Sequence, residues 1–339
     1  MRALVTGANG FIGRSVVSAL LDRGHAVRAV LRPSSDAARL PWRDRDGLDL
    51  FRADLRNHHH LEEAFEGVDV LVHLAAAIIR REEAQFASTV TGTERLLAAM
   101  ARTSTRRLVL ASSFAVYDWS ETRGTLDESS PLEGDLYRRD GYAVSKVWQE
   151  RVTRRLADEH GWALTVLRPG FVWGQGNEWL AGIGLQLGQV MVVVGPRTEL
   201  PLTHVSNCAD CFARVVDDER SVGETYNVVD GYAISSWLYA GLFARGTGVK
   251  ALRLPVPYRL GMVAARALYG SLAGVSGREP RLPSIVIPCR YEARFKPLRY
   301  SNDKLASQLG WHPPHSLDEC LALTYRASSG QPAASARMT

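Results

Sequence analysis

The chain reads as an α/β protein, a Rossmann-type doubly wound parallel sheet followed by a smaller C-terminal lobe that faces substrate. Three observations predict this. Short apolar runs alternate with helical stretches through the first 170 residues, as a sheet covered by helices on both faces demands. The runs are almost wholly apolar (Val70-Leu71-Val72-His73-Leu74, Leu108-Val109-Leu110-Ala111), which is how parallel strands buried on both sides are written. The first run enters a helix through Gly7, Gly10 and Gly13 in Thr6-Gly7-Ala8-Asn9-Gly10-Phe11-Ile12-Gly13. Gly7 allows a tight turn, Gly10 lets backbone approach a diphosphate, and Gly13 lets helix and strand pack closely. The anion would meet the unpaired N–H groups and positive dipole end of that helix.

In chain order the apolar runs predict strands at 2–6, 26–31, 48–52, 69–74, 107–111 and 163–168. The stretches between them predict helices near 11–23, 60–66, 84–103 and 138–160. After Pro169 the alternation becomes irregular, with a helix at 206–218, a strand at 225–229, a helix at 235–246 and a last helix near 316–327. Residues 1–170 are expected to form the nucleotide-binding domain, to which later segments return; 171–327 form mainly the substrate lobe, and 328–339 a disordered tail. The stretch Pro255 to Val275 is mostly apolar but carries Arg259 and Arg266, and so is a poor spanning helix. Two readings stand: an amphipathic helix packed on the lobe, or an interfacial helix touching a membrane surface.

Composition bounds the function. The chain has 339 residues, 46% hydrophobic and 23% charged, with a net charge of +5, an ordinary globular balance suited to anionic small molecules. The Arg pairs (Arg80-Arg81, Arg106-Arg107, Arg138-Arg139, Arg154-Arg155) are scattered and accompany no recognition motif, so no nucleic-acid partner is expected. Four cysteines make no disulfide framework. Cys208 and Cys211 read as a buried helical pair, not a redox motif. Asn57-His58-His59-His60 reads as a solvated helix start, not a metal tract, because consecutive imidazoles point in different directions. A chain that begins in a strand leaves no room for a signal peptide. The expected location is cytoplasmic.

The chemistry centres on Tyr142-Ala143-Val144-Ser145-Lys146. On a helix, Tyr142 and Lys146 lie on one face. A nearby ammonium would favour the phenolate, lowering the tyrosine pKa so that it could exchange a proton with a substrate oxygen. This helix follows the fifth strand, beyond whose carboxyl end a site is expected. The same strand end supplies Ser112 and Ser113, either of which could share the substrate oxygen or serve only the turn.

With these motifs in place the chain resembles the extended short-chain dehydrogenase/reductase family, also called the NAD-dependent epimerase/dehydratase family, over roughly residues 1–325. The matching segments are Thr6–Gly13, Asp54-Leu55, His73-Leu74-Ala75-Ala76, Ser113, Tyr142 with Lys146, Leu167-Arg168-Pro169-Gly170, and Leu309-Gly310-Trp311 with Pro313. The resemblance implies a catalytic set of Ser113, Tyr142 and Lys146. Tyr142 would be the general acid/base, Lys146 would tune it and bind the nicotinamide ribose, and Ser113 would position the substrate oxygen. It further implies cofactor contacts from Gly7, Asn9, Gly10, Phe11, Ile12 and Gly13. Asp54 and Leu55 would border the adenine; Leu74, Ala75 and Ala76 the phosphates and ribose; Pro169, Gly170 and Val172 the nicotinamide. Thr89 stands where the family usually has Asn, which leaves that helix contact open. A homodimer through the helices at 84–103 and 138–160 is a further expectation by analogy.

The second strand ends in Leu31-Arg32-Pro33, with no carboxylate before Asp36. An arginine there can accommodate a 2′-phosphate, which favours NADP(H) over NAD(H). Phe114-Ala115 after Ser113 lacks the acidic residue of dehydratases, and Arg168 to Gly174 lacks the Asn of sugar-nucleotide epimerases. The Leu202–Ala209 segment and the R-P-x-x-V-x-G pattern are similar to the 3β-hydroxysteroid dehydrogenase and dihydroflavonol-type reductase branch. Trp119, Tyr137, Phe171, Trp173 and Trp179 would line an apolar pocket or fill plain core. The leading expectation is an NADP(H)-dependent oxidoreductase interconverting a ketone and a secondary alcohol on a fairly apolar or ring substrate. The alternative is an NAD-dependent sugar-nucleotide epimerase, with Arg197, Arg290, Arg294 or Arg299 on the diphosphate. A non-catalytic cofactor-binding regulator is a third.

Overall fold

A computed structural model describes residues 1–57, 60–77, 81–137, 139–276 and 282–325. The first half runs β1 (Arg2–Thr6), α1 (Phe11–Asp22), β2 (Ala26–Leu31), β3 (Leu48–Arg52), β4 (Val70–His73), α2 (Glu82–Phe86), α3 (Gly92–Met100), β5 (Arg107–Ala111), β6 (Thr125–Leu126), α4 (Gly141–His160) and β7 (Ala163–Pro169). The second half runs β8 (Phe171–Trp173), β9 (Gly184–Leu187), β10 (Val190–Val194), β11 (Leu202–His204), α5 (Val205–Asp217), β12 (Thr225–Val228), α6 (Ser236–Thr247), β13 (Leu252–Val256), α7 (Tyr258–Ser276), α8 (Pro288–Phe295), β14 (Arg299–Tyr300), α9 (Asp303–Leu309) and α10 (Leu317–Tyr325).

Seven parallel strands form the central sheet in the order β12-β7-β5-β4-β1-β2-β3. Ala3, Leu4, Val5, Val70, Leu71, Val72, Leu108 and Val109 are all fully buried, because helices cover both faces. On one face Val16, Val17 and Leu20 of α1 pack with Cys208 and Phe212 of α5. On the other, Leu96, Leu97 and Met100 of α3 pack with Leu4 and Leu71. Strand order reverses between β1 and β4, and the crevice beyond their carboxyl ends is where this topology binds ligands.

Two expected helices differ. The 60–66 stretch closes as a 3₁₀ turn, Leu61–Phe65. The 84–103 stretch is broken by a π-turn, Ala87–Thr91, between α2 and α3. There Thr89 Oγ1 accepts from the Ala77 N–H at 3.0 Å, and π-turns of this kind are frequent at functional sites. α4 begins where Asp140 accepts from the Ala143 N–H at 3.0 Å and ends at Gly161, φ +65°, a left-handed residue that suits glycine.

The later residues add β12 to the central sheet and build a lobe around a mixed sheet, β13-β10-β9. Its core gathers Trp173, Ile183, Met191, Tyr239 and Phe243. Cys208 and Cys211 are buried and unbridged. The stretch expected at 255–275 divides into the end of β13 and the helix α7. Among the described residues no helix is long and apolar enough to cross a membrane, and no group of His, Cys, Asp and Glu could hold a metal. The tail at 328–339, and the second and third residues of the Asn57–His60 tract, lie outside the described residues.

Candidate active site

The first wall of the site is the turn after β1. Gly7 has φ +70°, and a Cβ there would meet the Ala75 backbone N at 2.9 Å, so only glycine lets this turn abut the chain after β4. The Gly10 N–H donates to the Gly7 carbonyl at 2.9 Å. Gly10 caps α1 without a side-chain hydrogen bond, and no acidic residue occupies the first turn. The first-turn N–H groups and the positive helix end are left for an external anion. A Cβ on Gly13 would sit 2.0 Å from the Gly7 carbonyl oxygen. The residues present fit a dinucleotide diphosphate. Phe11 and Ile12, both half-buried, follow in that turn.

Beside this turn, Asn9 Nδ2 donates to Ser35 Oγ at 3.0 Å, tying the glycine loop to the loop after β2. Arg52 Nη1 holds that second loop by donating to the carbonyls of Pro33 at 3.1 Å and Ser35 at 3.0 Å. Arg32 stays exposed at its head. Asp54 is bound to Arg56 at 2.7 Å, which pulls its carboxyl down to about 2 with a smaller contribution from Arg32. Leu55 is half-buried beside it.

A buried polar net fixes the second wall, Leu74 to Ala77. Thr93 Oγ1 donates to the Thr89 carbonyl at 2.6 Å, so it accepts from His73 Nε2 at 2.8 Å and from Gln149 Nε2 at 3.0 Å. His73 Nδ1 therefore accepts from Thr6 Oγ1, 2.6 Å away. Gln149 Nε2 also donates to the Ala75 carbonyl at 3.0 Å. Burial, aided by the Lys146 charge, pushes the imidazole down to about 3; His73 is a neutral strut. Thr89, at the position of the expected asparagine, holds the Ala77 N–H.

Tyr142 sits half-buried in the first turn of α4, with Ser113 near enough to lower its pKa. Ser113 in turn accepts from the Ala115 N–H at 3.1 Å, which fixes its rotamer at the end of β5. Ser112 is the structural one of the pair: its hydroxyl donates to Glu150 Oε2 at 2.5 Å. Lys146 lies one turn beyond Tyr142, buried, donating to the Ala111 carbonyl and to Gln149 Oε1, each at 2.8 Å. Burial lowers its pKa to about 8. The expected depression of the tyrosine by this ammonium is not what the structure shows. Burial raises Tyr142 above its usual value, the nearby Ser113 hydroxyl offsets part of that, and Asp140 adds to it. The reason is geometric: the ammonium is aimed at β5 and Gln149.

Beneath these groups, Arg168 and Glu150 form a buried pair at 2.5 Å. Arg168 also donates to the Tyr117 hydroxyl at 3.1 Å, and Tyr117 donates to Asn227 Oδ1 at 2.6 Å, linking β7, the end of β5, and β12. Pro169 is buried, and Gly170 is held so close to the next segment that a Cβ would lie 2.2 Å from the Pro201 carbonyl oxygen. Val172 is half-buried in β8, paired with β11.

The five aromatics do not line one pocket. Trp173 and Trp179 belong with Phe171 to the lobe core, packed on Tyr239 and Phe243. Trp119 packs near Tyr300 in a separate cluster, and Tyr137 is 74% exposed. Arg52, Thr93, Gln149 and Glu150 were not anticipated, and His73 was named only within a matching segment. Their signal is positional: Arg52 and His73 end strands, Thr93 opens α3, and Gln149 and Glu150 lie on the inner face of α4.

The chain belongs to the NAD dependent epimerase/dehydratase family, whose model matches residues 3–229. It is 30% identical over 317 residues, 92% of each chain, to the 4-hydroxy-2-methyl-3-oxo-4-farnesyl-3,4-dihydroquinoline-1-oxide ketoreductase of Stigmatella aurantiaca. It is 30% identical over 256 residues, 70% of this chain and 67% of the other, to a 3 beta-hydroxysteroid dehydrogenase/Delta 5-->4-isomerase of Mycobacterium tuberculosis. Its fold matches UDP-glucuronic acid 4-epimerase of Bacillus cereus, solved with UDP-glucuronic acid and NAD, at TM-score 0.70 and 19% identity over 96% of this chain and 98% of that one. The protein is thus an NAD(P)-dependent oxidoreductase of the extended short-chain dehydrogenase/reductase type.

Proposed function

We propose that this family member interconverts a ketone and a secondary alcohol on a fairly apolar or ring-bearing substrate, with NADP(H) preferred and Tyr142 as general acid/base. The observation that carries this is the placing of Ser113 and Tyr142 together at the carboxyl end of β5, on the side of the sheet where the glycine turn opens. A bound reduced nicotinamide supplies the hydride. Tyr142 gives its proton to the substrate oxygen as the carbonyl π pair moves onto it. Ser113 shares that oxygen and then stabilises the phenolate. Lys146, with two donors spent on Ala111 and Gln149, keeps one for a ribose hydroxyl. The two relatives named for ketone reduction and hydroxysteroid oxidation support this class of reaction.

The preference for NADP(H) rests on Arg32, exposed where a 2′-phosphate would lie, and on Asp54 being held by Arg56. A second reading, a sugar-nucleotide epimerase holding NAD, draws on α8. Arg290 donates to the Arg139 carbonyl at 2.9 Å, and half-buried Arg294 faces Asp140 at the start of α4. Arg197 and Arg299 are exposed. A panel of ketones screened with NADPH and NADH tests the leading reading, with Tyr142→Phe as control. The expected result is NADPH oxidation by the wild type and none by the variant, whose cofactor affinity is unchanged. Purified protein that carries tightly bound NAD and epimerises a nucleotide sugar establishes the second reading instead.

A further inference from the structure

The C-terminal lobe turns an apolar face outward. On α7, Leu260, Val263 and Leu268 are 63%, 64% and 44% exposed, with Ala264 and Ala267 exposed between them. The opposite side of the helix is equally apolar and is the one that packs: Met262 and Ala265 are buried, and Tyr258 lies against Tyr291 of α8. One residue, Pro257, joins this helix to β13, the edge strand of the mixed sheet. Leu252 and Leu254 project from the same side of β13 at 64% and 42% exposure. Their cross-strand partners there are Val190 with Leu187 and Val192 with Leu185. The other side of that sheet holds Met191 and Val193, fully buried in the lobe core.

The charge around this face is one-sided. The chain has 36 acidic residues in 339, yet none occurs from Gly231 to Arg278 or from Trp179 to Thr198. Those two segments contain α6, β13, α7 and the β9–β10 hairpin. Arg245, Lys250, Arg259 and Arg266 are exposed in the first of them, and none is paired with a carboxylate among the described residues. On a helical wheel Arg259 and Arg266 fall together on one border of the apolar arc formed by Val263, Ala267, Leu260, Ala264 and Leu268.

We propose that this face docks on an anionic lipid bilayer, with α7 lying in the plane of the interface. Apolar side chains facing out, a cationic border and no carboxylates are what an interfacial helix needs to gain from both the acyl boundary and the headgroups. A second copy of the chain fits worse, since it would set like charges against like. The docking rests on surface residues and is independent of the catalytic reading.

The test is co-sedimentation of the full-length protein with vesicles of phosphatidylcholine and with vesicles made half of phosphatidylglycerol. The expected result is binding to the phosphatidylglycerol vesicles alone, weakened by salt. A basic residue at an anionic surface contributes roughly a fivefold factor, so Arg259→Gln with Arg266→Gln weakens binding about 30-fold. Leu260→Ser with Val263→Ser abolishes it. Both pairs are exposed, so NADPH affinity and circular dichroism stay those of the wild type. Binding to neither vesicle, equal binding to both, or binding that survives both double variants overturns the proposal. So does a wild-type dimer without vesicle binding that Leu260→Ser with Val263→Ser converts to monomer.

Discussion

The three glycines of the first turn should respond differently to alanine, because the space around each differs. At Gly13 a Cβ would lie 2.0 Å from the Gly7 carbonyl oxygen and 2.8 Å from its carbon, all of it backbone. Alanine in a helix is worth about 0.5–1 kcal/mol over glycine. Forcing apart a packed strand and helix costs about 1–3 kcal/mol. Gly13→Ala should therefore lower stability by about 1–2 kcal/mol. At Gly10 the nearest atom to a Cβ is the Gly7 oxygen at 3.1 Å, and φ is an ordinary −73°. The weaker helix cap costs under about 1 kcal/mol, and the stiffer unfolded chain returns about 0.4–1. Gly10→Ala should leave stability within about 1 kcal/mol of wild type.

On the proposed placement of the dinucleotide, the new methyl at residue 10 projects into the space its diphosphate would enter. Losing two charge-assisted hydrogen bonds at about 1.5 kcal/mol each weakens dinucleotide binding by about 3 kcal/mol, on the order of 150-fold. Urea unfolding followed by tryptophan fluorescence measures the first quantity, and NADPH titration the second. A Gly10→Ala protein that binds NADPH as tightly as wild type refutes the placement of the phosphates. One that unfolds like Gly13→Ala refutes the packing argument.

Other consequences are as direct. Glu150→Leu strands the buried Arg168 guanidinium and should cost about 3–5 kcal/mol in urea unfolding, most of it recovered when Arg168→Met is added. His73 titrates at about 3 in the fold against 6.5 unfolded, so stability is full above pH 6.5 and declines as the unfolded chain takes up the proton below it. The loss is about 2 kcal/mol by pH 5, and His73→Asn should flatten that slope. Arg32→Ser should raise the KM for NADPH at least tenfold with little change for NADH; equal changes would remove Arg32 from the 2′-phosphate. In the free protein Tyr142 should ionise above the usual tyrosine value, seen as the ultraviolet difference between wild type and Tyr142→Phe; titration below that value contradicts the burial argument.

The nucleotide half was legible because its signals are local. A glycine with φ +70° or an unbroken apolar strand is written in a few adjacent residues, and β1, β2, β3 and β5 begin and end where the apolar runs do. The polar net behind the site was not legible. Thr6, His73, Thr93 and Gln149 lie on four separate elements and meet only through the sheet order β5-β4-β1 and the packing of α3 and α4. The π-turn at Ala87–Thr91 hides in an ordinary helical pattern, since it is made by what Thr89 bonds to. The substrate lobe was least legible: Trp173 reads equally as pocket or core until the pairing of β8 with β11 leaves it fully buried in the lobe core. Tyr142 and Lys146 sit where helical spacing puts them, but spacing could not say where the ammonium would aim.

That aim bears on how the tyrosine works. A lysine that lowered its neighbour's pKa would leave a phenolate, a base ready to take a proton from an alcohol. Here the ammonium is spent on the Ala111 carbonyl and Gln149, while burial and Asp140 hold Tyr142 in the phenol form. A phenol can only give its proton, which is the role needed when a ketone is reduced. The one hydroxyl against it, Ser113, favours the phenolate and so steadies the tyrosine after transfer. On the proposed mechanism, this state of the groups suits the reductive direction. For oxidation, the proposed mechanism needs positive charge brought nearer Tyr142, which Lys146 would do through the ribose hydroxyl it binds.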